Sequence, residues 1–222
     1  MTAHSVYAFD AYGTLFDVHA AVARHRADIG PQAGRMSEIW RAKQLEYTWV
    51  RTHMGAYRDF RALTAEALDF AAGQCGGVTP ALRASLLAAY ERLDAYDDVK
   101  PALSALKAAG VKTAILSNGT PAMLERAMEA AGITGLIDAC LSVDVLRVFK
   151  AVPQVYELVT RRFGCAPGDV SFQSSNRWDI AAAVHFGFHG VWINRTGQGD
   201  EYADLAPSRV LPGLSGLLPV SA

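Results

Sequence analysis

Four short apolar runs stand out along the chain, each passing directly into polar residues and glycine. They span residues 6–10, 111–116, 170–172 and 190–193, and lead into Ala11-Tyr12-Gly13-Thr14, Ser117-Asn118-Gly119, Gln173-Ser174-Ser175-Asn176 and Asn194-Arg195. Runs of this length without polar alternation read as strands buried on both faces. A weaker run over residues 139–143 predicts a fifth strand. Helical periodicity occupies residues 102–109, 121–131, 153–163 and 178–186. Strands alternating with helices imply an α/β fold, a Rossmann-like parallel sheet with helices on both faces.

The pattern changes between Asp17 and about Asp97, where no comparable strand run occurs. Ile39, Trp40, Lys43, Gln44, Tyr47 and Val50 recur at helical spacing, as do Phe60, Leu63, Ala67 and Phe70. Gly76-Gly77 interrupts the series, and Thr79-Pro80 suits an N-cap followed by the first residue of a new helix. The expected organisation is a core of residues 1–16 and 97–222, with an all-helical cap subdomain, 17–96, inserted after the first strand. The tail from Gly197, rich in Gly, Pro, Ser and Leu, predicts a loop, a short strand and a fraying end.

Composition narrows the function. The chain has 222 residues, 51% hydrophobic and 19% charged, which fits a folded globular protein rather than a disordered one. Its 21 basic and 22 acidic residues give a net charge of -1, without the basic excess of a nucleic-acid binder. No apolar run approaches the roughly 20 residues of a membrane span, and the first residues lack signal-peptide features. Cys75, Cys140 and Cys165 form no close-spaced pair, and the six histidines show no metal-ligand spacing. A cytoplasmic protein without nucleic-acid, membrane or metal partners is expected.

Open parallel sheets bind ligands beyond the carboxyl ends of their strands. Asp10, Ser117, Asn118, Lys150, Ser174, Asn176 and Asp179 all fall in such loops, which would converge on one crevice. A carboxylate before a glycine turn can serve as a nucleophile, with Thr14 offering a hydroxyl and Lys150 a balancing cation. Taken singly, each feature has a plainer reading. Asp10 fits an Asx turn or a cap, Lys150 a solvated lysine, and Asp179 an acid in the first turn of a helix.

Four sequence blocks in order remove that ambiguity. They are residues 7–17 (Tyr7-Ala8-Phe9-Asp10 through Asp17), residues 40–49 (Trp40-Arg41-Ala42-Lys43 through Trp49), Ile115-Leu116-Ser117-Asn118-Gly119, and Ser174-Ser175-Asn176-Arg177-Trp178-Asp179 with Trp192-Ile193-Asn194-Arg195. In these blocks the chain resembles the haloacid dehalogenase superfamily, specifically its 2-haloacid dehalogenase branch, over nearly its whole length.

The resemblance implies a set of roles. Asp10 would attack the halogen-bearing carbon and form an ester, oriented and charge-balanced by Thr14 and Lys150. Arg41 would receive the halide, and Ser117 and Asn118 the substrate carboxylate. Ser174, Asn176 and Asp179 would support Asp10 and position the hydrolytic water, with Tyr156 bonded into that network. Tyr12, Leu45, Phe60 and Trp178 would wall the apolar pocket. The implied activity is hydrolysis of short L-2-haloalkanoic acids to D-2-hydroxyalkanoic acids, with no cofactor and no metal. The implied partners are the haloacid, the halide and a second copy of the chain, Glu46, Tyr47 and Trp49 lying on the dimerising surface.

The superfamily also contains magnesium-dependent phosphatases, whose first motif carries a second acid two positions after the nucleophile. That position is Tyr12 here, a poor acid at neutral pH. The loop Asn176-Arg177-Trp178-Asp179 offers one carboxylate where a hard cation wants several oxygen ligands. Phosphatase is therefore the alternative reading, and a non-enzymatic binding module a third that would require loss of Asp10, Arg41 or Lys150. Some positions depart from the dehalogenase pattern. Lys150-Ala151-Val152-Pro153 lacks the proline usual after the lysine, which predicts a less constrained loop. Ala42 removes a polar group that relatives often carry, and Gln173 and Arg177 have no explanation in the sequence.

Overall fold

The computed structural model describes residues 4–217. Strands β1 (Val6–Phe9), β2 (Lys112–Ser117), β3 (Ala139–Ser142), β4 (Val170–Ser174), β5 (His189–Ile193) and β6 (Arg209–Leu211) form one sheet in the order β3-β2-β1-β4-β5-β6. Every neighbouring pair is parallel. All four residues of β1 are buried, as a strand with partners on both edges and helices over both faces requires. Ala8 sits between Ala114 of β2 and Phe172 of β4. The chain runs outward in one direction through β2 and β3 and in the other through β4 to β6. The strand order reverses beside β1, where doubly wound sheets open a ligand crevice.

Nine α-helices accompany the sheet among the described residues: α1 (Ala20–Arg24), α2 (Arg26–Ile29), α3 (Ala33–Met54), α4 (Phe60–Gln74), α5 (Pro80–Tyr90), α6 (Val99–Ala108), α7 (Pro121–Ala131), α8 (Pro153–Phe163) and α9 (Arg177–Phe186). Thr79 caps α5 as its sequence suggests, its hydroxyl accepting from Leu82 N at 3.2 Å. Helix α6 starts three residues before its expected beginning. Pro101 is tolerated there because the first-turn amides have no intrahelical partner. The tail carries β6 as predicted, while the expected fraying end at 218–222 lies outside the described residues.

Everything between β1 and α6 is helix or turn apart from isolated bridge residues. The chain leaves and rejoins the core through an antiparallel contact: Asp17 N donates to Asp94 O at 2.8 Å and Tyr96 N to Leu15 O at 3.1 Å. Helices α3 and α4 pack together over a buried polar network. Gln44 Nε2 donates to Thr64 Oγ1 at 2.9 Å, Tyr90 OH to Gln44 Oε1 at 3.2 Å, and Trp40 Nε1 to Thr64 O at 2.8 Å. Satisfied polar groups of this kind admit one registration of the helices and penalise others. That registration points Arg41 and Leu45 of α3 and Phe60 of α4 at the carboxyl end of the sheet, where all three line one cavity.

Candidate active site

Asp10 follows β1 directly, its backbone N donating to Gln173 O of β4 at 2.8 Å. Its Oδ1 accepts from Lys150 Nζ at 2.9 Å, and its Oδ2 from Thr14 Oγ1 at 3.1 Å and Asn176 Nδ2 at 2.9 Å. Three loops thus meet on one carboxylate. The turn that brings Thr14 back needs Gly13, which has a φ of 94° and would place a Cβ 3.0 Å from Ser175 Oγ.

Behind Asp10 lies a buried ionic chain. Lys150, 1% exposed, also donates to Asp179 Oδ2 at 2.8 Å, and Tyr156 OH donates to Asp179 Oδ1 at 2.6 Å. Burial pulls the Lys150 ammonium down, but Asp10 and Asp179 outweigh it and the net shift is upward, so the lysine is charged at neutral pH. Burial pushes the Asp179 carboxyl up, Lys150 opposes this and Asp10 adds to it, leaving it raised. Beneath them Phe172 presents its ring 5.1 Å from Lys150 Nζ and packs edge-on against Tyr156. Burial holds the Tyr156 and Tyr12 phenols well above their ordinary value, so both stay protonated.

Above Asp10 is a narrow cavity of about 10 Å³, space for roughly one water. Asp10, Tyr12, Arg41, Leu45, Phe60, Ser117, Asn118, Lys150, Asn176 and Trp178 line it. Arg41 reaches in from α3, its Nη2 donating to Tyr12 O at 3.0 Å and Asn176 Oδ1 at 3.3 Å. Tyr12 stacks on Tyr90 and tilts against Phe60, and covers Gly119 so closely that a Cβ there would meet its ring at 2.8 Å. An outer chamber of about 330 Å³ adjoins the cavity, with Arg41, Leu45, Asn176 and Trp178 in the wall common to both.

The residues singled out in the sequence therefore divide into two layers. Thr14, Tyr156, Ser174 and Asp179 do not line the cavity. Thr14 and Asp179 bond to Asp10 or Lys150, Tyr156 bonds to Asp179, and Ser174 Oγ accepts from Asn176 N at 3.1 Å, fixing the residue that touches Asp10. Asp179 reaches the cavity only through Lys150. The expected looseness of the lysine loop is corrected: Lys150 N donates to Asn118 Oδ1 at 3.0 Å, so its backbone is held without a following proline.

The structure also explains Arg177. It is buried, donating to Asp200 Oδ1 at 2.6 Å and to the carbonyls of Tyr202 and Leu205, and so ties the loop after β5 to α9. Gln173 donates to Ser171 Oγ, but its buried Oε1 has no partner, and nothing explains its presence. Two supporting residues were missed. Ser175 N donates to Thr14 Oγ1 at 2.8 Å, and Arg195, stacked on Tyr96 and paired with Asp98, donates to Thr14 O at 3.0 Å. Arg195 stands just after an apolar run, which was the one available signal.

A divalent cation has little to bind here. The Lys150 ammonium already bridges Asp10 and Asp179, and no group of three or more His, Cys, Asp or Glu among the described residues is arranged to hold a metal.

The family model for haloacid dehalogenase-like hydrolases matches residues 4–187. The chain is 50% identical over 202 residues to (S)-2-haloacid dehalogenase 1 of Pseudomonas sp. (strain CBS-3), covering 90% of this chain and 88% of that one. A crystal structure of a dehalogenase superposes with a TM-score of 0.97 at 42% identity, covering 100% of this chain and 99% of its own. The L-2-haloacid dehalogenase of Xanthobacter autotrophicus, with chloropropionic acid covalently bound, superposes with a TM-score of 0.89 at 36% identity, covering 96% of each chain. The buried Asp10–Lys150–Asp179 chain thus sits in a protein that belongs to the haloacid dehalogenase-like hydrolases, on their (S)-2-haloacid dehalogenase branch.

Proposed function

We propose that the protein hydrolyses short L-2-haloalkanoic acids to D-2-hydroxyalkanoic acids through an ester on Asp10. The observation that carries the reading is a buried carboxylate facing Arg41 across a small cavity, with an ammonium rather than a second acid beside it. Displacing a halide needs no proton donor. It needs a desolvated anion to attack and a cation to receive the leaving anion.

An Asp10 oxygen attacks C2, the carbon–halogen bond breaks, and its electron pair leaves as halide toward Arg41. The substrate carboxylate sits at Ser117 and Asn118, which line the cavity. Leu45, Phe60, Tyr12 and Trp178 enclose the alkyl group. Water, positioned by Asn176 and by Lys150 under the control of Asp179, then attacks the Asp10 carboxyl carbon and releases the hydroxyacid. The net reaction consumes one water and yields one proton and one halide. C2 inverts once, because the second attack is not at C2.

Halide release from L-2-chloropropanoate in excess chelator tests this. Release undiminished by chelator is expected. No release, with magnesium-dependent turnover of p-nitrophenyl phosphate, would establish the phosphatase alternative instead.

The proposal extends to cellular place and assembly. Among the described residues no helix is long and apolar enough to cross a membrane, and the three cysteines are unpaired, which supports work in the cytoplasm. Exposed apolar side chains on α3 and α4 support a homodimer.

A further inference from the structure

Residues 147–152 carry the lysine that charges Asp10, and none of them is proline. Arg147 in this loop adopts a left-handed φ of 54°, a conformation that a non-glycine residue keeps only when its surroundings impose it. The surroundings come from the helical insertion. Phe149 N donates to Thr52 Oγ1, in the last turns of α3, at 3.1 Å. The fully buried Phe149 ring packs on Tyr57 at 5.1 Å and on Phe60 at 6.4 Å. Tyr57 OH donates to Asp144 Oδ1, and the Arg147 guanidinium lies 5.2 Å from the Tyr57 ring. The stretch leading up to Lys150 is thus gripped by residues between β1 and β2, and Lys150 is the next residue after the gripped amide.

We infer that Thr52 and Tyr57 are positioning residues for Lys150, so that docking of the α3 end sets the ammonium against Asp10. The inference rests on the proposed roles of Asp10 and Lys150. Its physical basis is that a lysine side chain, with four methylenes and a point charge, carries little directional preference of its own. The backbone must therefore supply the placement, Asn118 holding the Lys150 amide from the core and Thr52 the preceding amide from the insertion. An error of about 1 Å in a catalytic group can cost on the order of 100-fold in rate. The nucleophile is then fully charge-balanced only while the insertion is seated.

The test compares full-length Thr52→Val, Thr52→Ser and Tyr57→Phe proteins. Valine keeps the shape and removes the acceptor, serine keeps the acceptor, and phenylalanine removes only the bond to Asp144. One readout is the rate at which an amine-acylating reagent modifies Lys150, followed by mass spectrometry, which needs no turnover. The other is kcat and KM for L-2-chloropropanoate. Thr52→Val should acylate Lys150 several-fold faster and lose roughly 10- to 100-fold in kcat, with KM within about twofold of the parent. Thr52→Ser should restore both, and Tyr57→Phe should move both in the same direction by less. Unchanged acylation and kcat in Thr52→Val would overturn the inference. Should that variant fail to fold, unchanged Lys150 acylation in Tyr57→Phe would overturn it equally. A parent protein that releases no halide would refute the proposed reaction, while the acylation rates still decide the positioning.

Discussion

Asp10 accepts three side-chain hydrogen bonds, from Thr14, Lys150 and Asn176, so its carboxylate is held in one orientation before substrate arrives. Arg41 is anchored on a single nitrogen, Nη2, by Tyr12 O and Asn176 Oδ1. In the proposed reaction its remaining donors would meet the charge that develops on the departing halogen, which is where a guanidinium lowers the barrier. Arg41→Ala should therefore lower kcat on the order of 100-fold, the cost of losing one such donor in comparable anion sites. Unchanged turnover in stopped-flow halide release would remove α3 from the chemistry. Asp179 makes a different prediction. A carboxyl whose pKa is raised on folding contributes stability that is full below its unfolded pKa and is lost as pH rises through the folded value. Burial therefore burdens ionised Asp179 as pH rises, while Lys150, raised by the same pair, offsets that cost. Asp179→Asn leaves the buried Lys150 with one carboxylate partner, and should lower the calorimetric midpoint at pH 7 while accumulating the Asp10 ester in intact-protein mass spectra. A lower midpoint without ester would assign Asp179 a purely structural role.

At the scale of elements, the strands and helices of the core were legible because the central strands carry short, mostly apolar runs between segments of helical periodicity. The polar residues at their carboxyl ends mark the site directly. Asp10, Lys150 and Asn176 could be expected at one crevice, since all three fall in loops beyond the carboxyl ends of strands in one parallel sheet. Contacts made across long sequence separations were not legible. Arg177 looked anomalous because its partner Asp200 lies 23 residues on, in a loop without periodicity. The grip of Thr52 on Phe149 joins residues 97 apart and leaves no trace in either segment. Helix α3 also shows an outer face that its own periodicity does not bury: Trp49, Val50 and Met54 are exposed, with Phe70 of α4 exposed as well. Apolar groups clustered on one surface call for a partner, and the proposed dimer supplies one. The chain should sediment as a dimer, and Met54→Glu should shift it toward monomer. A parent protein that is monomeric at all concentrations would exclude that assembly.

The whole molecule divides its labour between two parts, a division we propose at residues 17–96. In the proposed reaction the sheet would supply the nucleophile, the lysine and the carboxylate seat. The helices between β1 and β2 would supply the cation for the halide and half of the apolar wall, Leu45 and Phe60. Their shared product is a cavity with room for little more than the reacting atoms. The buried Asp10 carboxylate faces that cavity directly, so the chemistry is expected to run through the protein's own carboxylate rather than through a water molecule. Inversion at C2 does not test this, because direct attack by water would invert the same centre. The origin of the product oxygen does. In a single turnover with enzyme in excess, carried out in heavy-oxygen water, the D-2-hydroxyacid should carry unlabelled oxygen and the label should appear in Asp10. Solvent oxygen in the first-turnover product, with Asp10 unlabelled, would contradict the covalent route and reduce Asp10 to a general base.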